Sequence, residues 1–178
     1  MVIVRRRRVA PEPPNRPAHF EGYLGASKVH DSDGSFSADL AVVDDFLRVG
    51  GSYTRYYEAQ PGMGALTLSM PSLTLGFRID DARGTNIYVV GGLVGAKTAN
   101  DRNMNSSYVG VLGGLHIDSP LTPSASLVGE VQLMQFRDGV RATALRAGVK
   151  VGPVQASLRV LDFNVGPPLY GPELGIGF

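Results

Sequence analysis

The 178-residue chain contains no cysteine and no tryptophan, and only three of its residues are lysine. Without cysteine it has neither a disulfide framework nor a cysteine-ligated metal site. Its longest apolar stretch, 87–96, is ten residues long and includes three glycines, whereas a helix that crosses a bilayer needs roughly 20 apolar residues. The sequence therefore predicts no membrane-spanning helix.

The chain also has little net charge, because its formal net charge is +1. Hydrophobic residues make up 43% of it. This composition is too apolar for a disordered chain, and its near-neutral charge predicts no nucleic-acid partner. The given sequence also predicts no secretory signal peptide, since the basic start 1–8 leads into prolines and not into an apolar core of about 7–15 residues. We expect either that the protein is not exported or that this chain is a mature or truncated form, and the rest of the sequence favours the second.

The chain divides once. Residues 1–17 are basic and rich in proline and predict a flexible tail, whereas 18–178 have the texture of one domain. The tail contains four consecutive arginines, which predict either a solvated segment or an arm that contacts an anionic partner such as lipid headgroups or cell-wall polymer. These arginines are Arg5, Arg6, Arg7 and Arg8.

Apolar and small or polar residues alternate throughout the domain. From Leu73 to Ile79, for example, every second residue is apolar, and the residues between are serine, threonine, glycine and arginine. A period of two indicates β-strands with one apolar face, and no segment shows an apolar stripe of helical period with caps. The sequence therefore predicts an all-β protein.

Turn residues divide the domain into ten predicted strands, or eight if weak breaks such as Asp44–Asp45 are wrong. All connections are short, which favours an up-and-down meander, and closure into a barrel removes its two unpaired edges. The predicted strands are 19–30, 35–43, 46–58, 65–79, 86–97, 106–117, 124–136, 140–151, 154–164 and 171–178.

One predicted strand changes phase. Its apolar residues are even-numbered from Leu66 to Met70 and odd-numbered after Pro71. Because a slip of one residue turns every side chain to the other face, and because proline is tolerated at bulges, we expect a β-bulge near Met70–Pro71.

Isolated charges among glycine, serine and threonine occupy the second face of the strands. With lysine scarce, this face resembles a confined lumen more than a solvated surface. The candidates number four acids and four arginines, so they can pair and neutralise one another, fix the barrel shape and block free diffusion. They are Glu21, Asp39, Arg48, Arg78, Glu130, Arg146, Arg159 and Glu173.

The apolar face suits lipid contact. The side chains predicted to be exposed in a belt about 25 Å tall are Leu127, Val131, Leu133, Leu145, Val149, Leu158, Leu174 and Ile176. Aromatic residues collect near strand ends and predict girdles at the two bilayer interfaces. One rim would carry Tyr53, Tyr56, Tyr57, Tyr108, Phe136, Phe163 and Tyr170, and the other Phe20, Phe46, Phe77 and Phe178.

The glycine-rich opening strand Glu21–Ala26 and the closing strand Gly171–Phe178 resemble those of small bacterial outer-membrane β-barrels, the class of the outer-membrane protein A and X barrels. The resemblance covers 19–178 and implies a closed antiparallel transmembrane barrel in the bacterial outer membrane, monomeric and in contact with its lipids. In that class, a terminal strand with a C-terminal aromatic is similar to the signal that the barrel-assembly machinery recognises. This makes Phe178 the candidate assembly signal. An even strand count would place both chain termini of the barrel domain on the periplasmic side.

Evidence for chemistry is weak. His19, His30 and His116 have no metal-ligand spacing, and the run from His116 to Ser119 is explained by a strand that ends in a polar turn. Aspartates in the turns at 31–34 and 80–81 could bind Ca²⁺ but serve equally as turn formers. We expect no catalytic residue, no metal and no cofactor.

Three functions remain open. The first is a structural or envelope-integrity barrel with a lumen plugged by side chains, and the second is a narrow pore or small-ligand transporter. The third is a soluble β-barrel that binds an apolar ligand. We expect the first, because charge pairing closes a lumen and because the loops are too short for a receptor or adhesin.

Overall fold

The computed structural model describes residues 18–30, 32–60, 64–80, 84–100 and 105–178. Its ten β-strands form one closed antiparallel barrel in which every strand pairs with its neighbours in sequence and the first pairs with the last. Among the described residues, no helix is long and apolar enough to cross a membrane. The strands are β1 (His19–Ser27), β2 (Gly34–Val43), β3 (Leu47–Gln60), β4 (Gly64–Asp80), β5 (Asn86–Asn100), β6 (Asn105–Thr122), β7 (Ala125–Phe136), β8 (Arg141–Val151), β9 (Val154–Phe163) and β10 (Leu169–Gly177).

The prediction of ten strands in an up-and-down barrel is confirmed, and the alternative of eight is wrong. We call the end of the barrel where β1, β3, β5, β7 and β9 finish the top rim, and the opposite end, where β1 begins and β10 finishes, the bottom rim. The predicted tail 1–17 lies outside the described residues. So do Asp31, Asp81 and most of the predicted turns at 60–64, 80–84 and 98–105.

The barrel closes between β1 and β10. At this seam the Gly22 amide donates to the Phe178 carbonyl over 2.7 Å, and the Phe178 amide donates to the Gly22 carbonyl over 2.9 Å. The Phe178 ring covers Gly22 so closely that a Cβ there would lie 2.2 Å from a ring carbon. The small residue on the opening strand and the terminal aromatic thus fit each other across the seam.

The outside of the barrel is apolar. All eight side chains predicted for the belt are exposed, from Val131 at 38% to Leu174 at 65%. Leucine, valine, isoleucine and phenylalanine continue this surface around the other strands. Soluble monomers rarely expose contiguous apolar patches larger than a few hundred Å², so this exterior requires an apolar surrounding.

The aromatic girdle is confirmed at the bottom rim and is partly wrong at the top rim. The four bottom phenylalanines are exposed, as are Tyr53, Tyr57 and Tyr170 at the top. The other four top aromatics pack inside the barrel because their strand positions alternate inward. They are Tyr56, Tyr108, Phe136 and Phe163.

The predicted β-bulge at Met70–Pro71 is wrong. Pairing with β3 runs through both residues in one register, and pairing with β5 keeps the same register on either side of them. The register shift of β4 lies lower, between Arg78 and Asp80. The phase change has another cause, since Leu68 and Met70 belong to an apolar cluster inside the barrel.

The four longest strands, β3 to β6, change character near Pro71. Below it, outward side chains such as Leu73 and Leu93 are apolar and exposed. Directly above it, the outward positions of β4, β5 and β6 are polar, with Ser69 paired to Lys97 and Lys97 paired to Ser107. We call this segment of β3 to β6, above the level of Pro71, the upper wall. Its outside has the polarity of a solvated surface and its inside that of a core.

The close packing of β6 against β7 leaves no room for a side chain at Gly114, whereas the neighbouring Gly113 has room for one. Gly114 faces the lumen, and a Cβ there would lie 1.9 Å from the Val131 carbonyl oxygen, whereas a Cβ on Gly113 meets nothing nearer than 3.9 Å. We expect Gly114→Ala to lower the free energy of unfolding by about 1–3 kcal/mol, since the backbone must move. Gly113→Ala should change it little. Urea unfolding in lipid vesicles, followed by circular dichroism, measures both, and equal stabilities would contradict this account.

Candidate functional site

Arg146 lies at the centre of the lumen. Its guanidinium is 2.7 Å from the Asp39 carboxylate, 3.0 Å from that of Glu130 and 3.6 Å from that of Glu173. Glu130 is its direct cross-strand partner on β7, whereas Asp39 and Glu173 project from β2 and β10. The planar fork of arginine suits this arrangement, because its several N–H groups can serve different carboxylates at once.

Glu173 is the most buried charged group of the lumen, with 1% of the residue exposed. Its carboxylate accepts hydrogen bonds from the Tyr23 hydroxyl at 2.8 Å and the Ser37 hydroxyl at 3.0 Å. It also accepts one from Arg159 at 3.1 Å. A buried carboxylate is tolerated only when it is paired and its remaining lone pairs are satisfied, and these donors meet that requirement.

Two arginines stand side by side, because Arg146 and Arg159 are direct cross-strand partners on β8 and β9. Like charges in this position repel each other. Glu173 offsets the repulsion, since one of its oxygens approaches each guanidinium. Arg159 makes a further hydrogen bond to the Thr54 hydroxyl at 2.9 Å on the far side of the lumen.

The structure brings five of the eight predicted lumen residues into one group, which we call the ion network. It consists of Asp39, Glu130, Arg146, Arg159 and Glu173. Glu21 and Arg48 form a separate, looser pair at 3.6 Å nearer the bottom rim. Arg78 lies outside the ion network and lines, together with Glu21 and Tyr88, a cavity of about 350 Å³ at the bottom mouth.

Sequence reasoning missed the uncharged partners of the ion network. Tyr23, Ser37 and Thr54 hold its charges, and Gln132 donates to Glu130 at 2.7 Å. A signal was available, because each of them shares a strand face with a predicted lumen charge. The alternation of strand positions alone could not show which of the inward hydroxyl groups reach a carboxylate.

An apolar layer that the sequence did not predict lies above the ion network. Its buried members include Met70, Val94, Leu112, Met134 and Leu161. Between this layer and the ion network is a cavity of about 30 Å³, and below the network is one of about 80 Å³. The first has room for about one or two water molecules.

The sequence run His116 to Ser119 does not assemble a catalytic group. His116 and Asp118 both line the lumen below the ion network. Ser119 has the opposite strand parity and pairs with the Thr85 hydroxyl at 2.9 Å. Within the described part of the chain, no three histidine or acidic side chains are grouped so that they could hold a metal ion.

No protein-family model and no curated protein sequence matches the chain. Its shape is similar to Neisserial surface protein A over 91% of this chain and 97% of that one, at 16% identity and a TM-score of 0.47. A major outer membrane protein from Thermus thermophilus is similar over 90% and 99%, at 11% identity and a TM-score of 0.48. Ail, the attachment invasion locus protein of Yersinia pestis, is similar over 90% and 97%, at 15% identity and a TM-score of 0.45. At these identities and scores the likeness carries no argument about function.

The ion network predicts unequal effects for two glutamates. Glu173→Gln keeps the size of the side chain but leaves Arg146 and Arg159 short of one buried counter-charge, which we expect to lower the free energy of unfolding by about 3–5 kcal/mol. Glu21→Gln weakens only the longer contacts of a partly exposed carboxylate, at 3.5 Å from His19 and 3.6 Å from Arg48, and should cost about 0–1 kcal/mol. Urea unfolding of both variants in lipid vesicles tests this. Similar losses in the two would show that the ion network does not stabilise the barrel.

Proposed function

We propose that the chain is an integral barrel of the bacterial outer membrane with a structural role in the cell envelope and a lumen plugged by its own side chains. The observation that carries the proposal is the pairing of an apolar exterior with an ion network inside. Both are the reverse of what a water-soluble barrel needs, since such a barrel is apolar inside and polar outside.

The exterior has the dimensions of a membrane barrel. A transmembrane strand needs about 9–11 tilted residues, and the apolar band of such barrels is about 25 Å tall. On β6 the outward apolar run from Val109 to Ile117 is nine residues long. Exposed phenylalanines follow at the bottom rim and exposed tyrosines at the top, where aromatic girdles border a bilayer. These features support lipid contact and weigh against the soluble alternative.

The lumen supports a plug better than a pore. Three carboxylates and two guanidinium groups meet within 2.7 to 3.6 Å of one another's atoms, and the apolar layer fills the space above them. A ten-stranded barrel is narrow enough for side chains to fill. The ion network also ties strands from opposite sides of the barrel together, which supports a structural role.

Phe178 is the proposed assembly signal, recognised by the barrel-assembly machinery. Its ring is 67% exposed on the lipid-facing side of the seam at the bottom rim, where β1 and β10 meet. The first and the last residue of the barrel domain both lie at this rim, and the proposal places the bottom rim in the periplasm. Contact of Arg5 to Arg8 with an anionic partner stays a prediction, since these residues lie outside the described part of the chain, and so does the monomeric state.

Lipid contact predicts a depth-dependent cost for charge on the outer face. Leu75→Arg places a guanidinium near the middle of the belt, and we expect it to lower the free energy of unfolding by about 2–4 kcal/mol. Ser107→Arg, on the outside of the upper wall, should cost about 0–1 kcal/mol. The measurement is urea unfolding in lipid vesicles. If the two substitutions cost the same, the belt does not lie in the bilayer.

The plug predicts a closed barrel that opens only when both the ion network and the apolar layer above it are removed. In planar lipid bilayers we expect the native chain to show no steady ion conductance. A combined variant, with Arg146→Ala and Glu173→Ala in the ion network and Leu112→Ala and Met134→Ala in the apolar layer, should open a conducting path.

Arg78→Ala is the matched control, because Arg78 lies at the bottom mouth outside the ion network. It should leave the barrel closed. Steady conductance in the native chain would overturn the plug and favour the narrow pore. Circular dichroism of the combined variant verifies that it still forms a barrel.

A further inference from the structure

An apolar cavity of about 270 Å³ lies at the top of the lumen, between the upper wall and the upper ends of β7 and β9 with the residues that follow them. Seven of its lining side chains are apolar, and three of these are aromatic. They are Leu68, Ala96, Tyr108, Phe136, Val140, Phe163 and Val165. Among the described residues, the lining includes no charged side chain, and its polar groups are the hydroxyls of Thr98 and Tyr108.

The cavity ends blindly. Beneath it the buried side chains of Val94, Leu112 and Met134 belong to the same cluster as its lining, and the ion network follows below them. A molecule that enters from the top therefore meets a closed apolar floor. This geometry fits binding and does not fit passage.

The phase change of β4 turns Leu68 into the lumen, where it lines this cavity. It interrupts the regular alternation of the strand. Membrane barrels keep apolar residues outside, yet here Leu68 and Met70 point into the lumen while Ser69 points out. A strand segment with this pattern has the polarity of a soluble barrel, whose interior holds an apolar ligand or a packed core. About 270 Å³ of this interior is unfilled.

We propose that this cavity is a binding site for a small uncharged aromatic molecule of one or two rings, taken up from the medium above the top rim. An apolar protein cavity of about 150 Å³ stays dry and binds benzene, so the larger space here accommodates a substituted ring. The three aromatic side chains offer edge and face contacts, and the Thr98 hydroxyl can accept or donate one hydrogen bond. The inference rests on the proposed membrane placement for its direction of access.

Indole is a suitable probe because it is uncharged, has two rings and one N–H donor. The experiment uses the full chain in lipid nanodiscs with ¹³C-labelled alanine and valine methyl groups. We expect the Ala96 and Val140 methyl signals to shift and saturate as indole is added. The methyl of Ala156, which is exposed on the lipid side of β9, should show at most the linear drift of a molecule that dissolves in the bilayer.

Two variants fill the cavity and one controls for added bulk. Ala96→Phe fills it from β5, and we expect a loss of affinity of about tenfold or more. Val140→Phe fills it from the turn between β7 and β8 and keeps the backbone carbonyl that accepts a hydrogen bond from the Phe136 amide. It should do the same if Ala96→Phe does not fold. Ala156→Phe adds the same ring on the lipid side and should leave the affinity within about twofold.

Two results would overturn the proposal. One is a shift of Ala96 and Val140 that never saturates, which means partition into lipid only. The other is unchanged affinity in a folded filling variant. Either failure is distinguishable from failure of the membrane placement, which the arginine substitutions at Leu75 and Ser107 report independently of indole.

Discussion

The carboxylate of Glu173 is the group on which the lumen depends. It lies between two arginines that the strand register forces together and receives hydroxyl hydrogen bonds from the first two strands. Each charge in a confined lumen would cost several kcal/mol if it were unpaired, about as much as a small domain's margin of stability. The shared carboxylate therefore allows Arg146 and Arg159 to occupy adjacent positions, and their guanidinium groups in turn reach across to the opposite strands.

The barrel consists of three layers with different tasks. The ion network joins strands across the lower half of the lumen, and the apolar layer with Leu112 and Met134 lies above it. On our proposal these two layers together close the lumen. The upper wall then rises beyond the belt and reverses the polarity of both faces. The proposed membrane placement explains this reversal as a change of surroundings along one strand, from lipid below Pro71 to water above it. The register of β4 contains no bulge at that level.

The seam shows how the two ends of the domain complement each other. Gly22 on the outer face offers the space that the Phe178 ring occupies, and their backbones exchange two hydrogen bonds. The ring therefore contributes to closure and stays exposed on the lipid side at the bottom rim. These two properties are compatible with one residue serving both closure and recognition during assembly.

Alternation along the sequence determined the fold class and, below the upper wall, the side of each strand that faces inward, because a strand's side chains have a period of two whatever it pairs with. Turn residues between the alternating segments determined the number of strands. Short connections determined the meander order. The sequence by itself also placed all eight charged residues on the inner face, including Arg78, which the barrel leaves apart from the ion network. Only the tertiary structure decided which of them meet, since that depends on register and on distances across the lumen between strands far apart in sequence. The same holds for the four aromatics inside the top of the barrel and for the phase change at Met70–Pro71. The local sequence pattern was equally consistent with a bulge at Met70–Pro71 and with an aromatic girdle at the top rim. In the structure these residues lie in or beside the upper wall, above the belt, where the interior of the barrel is apolar.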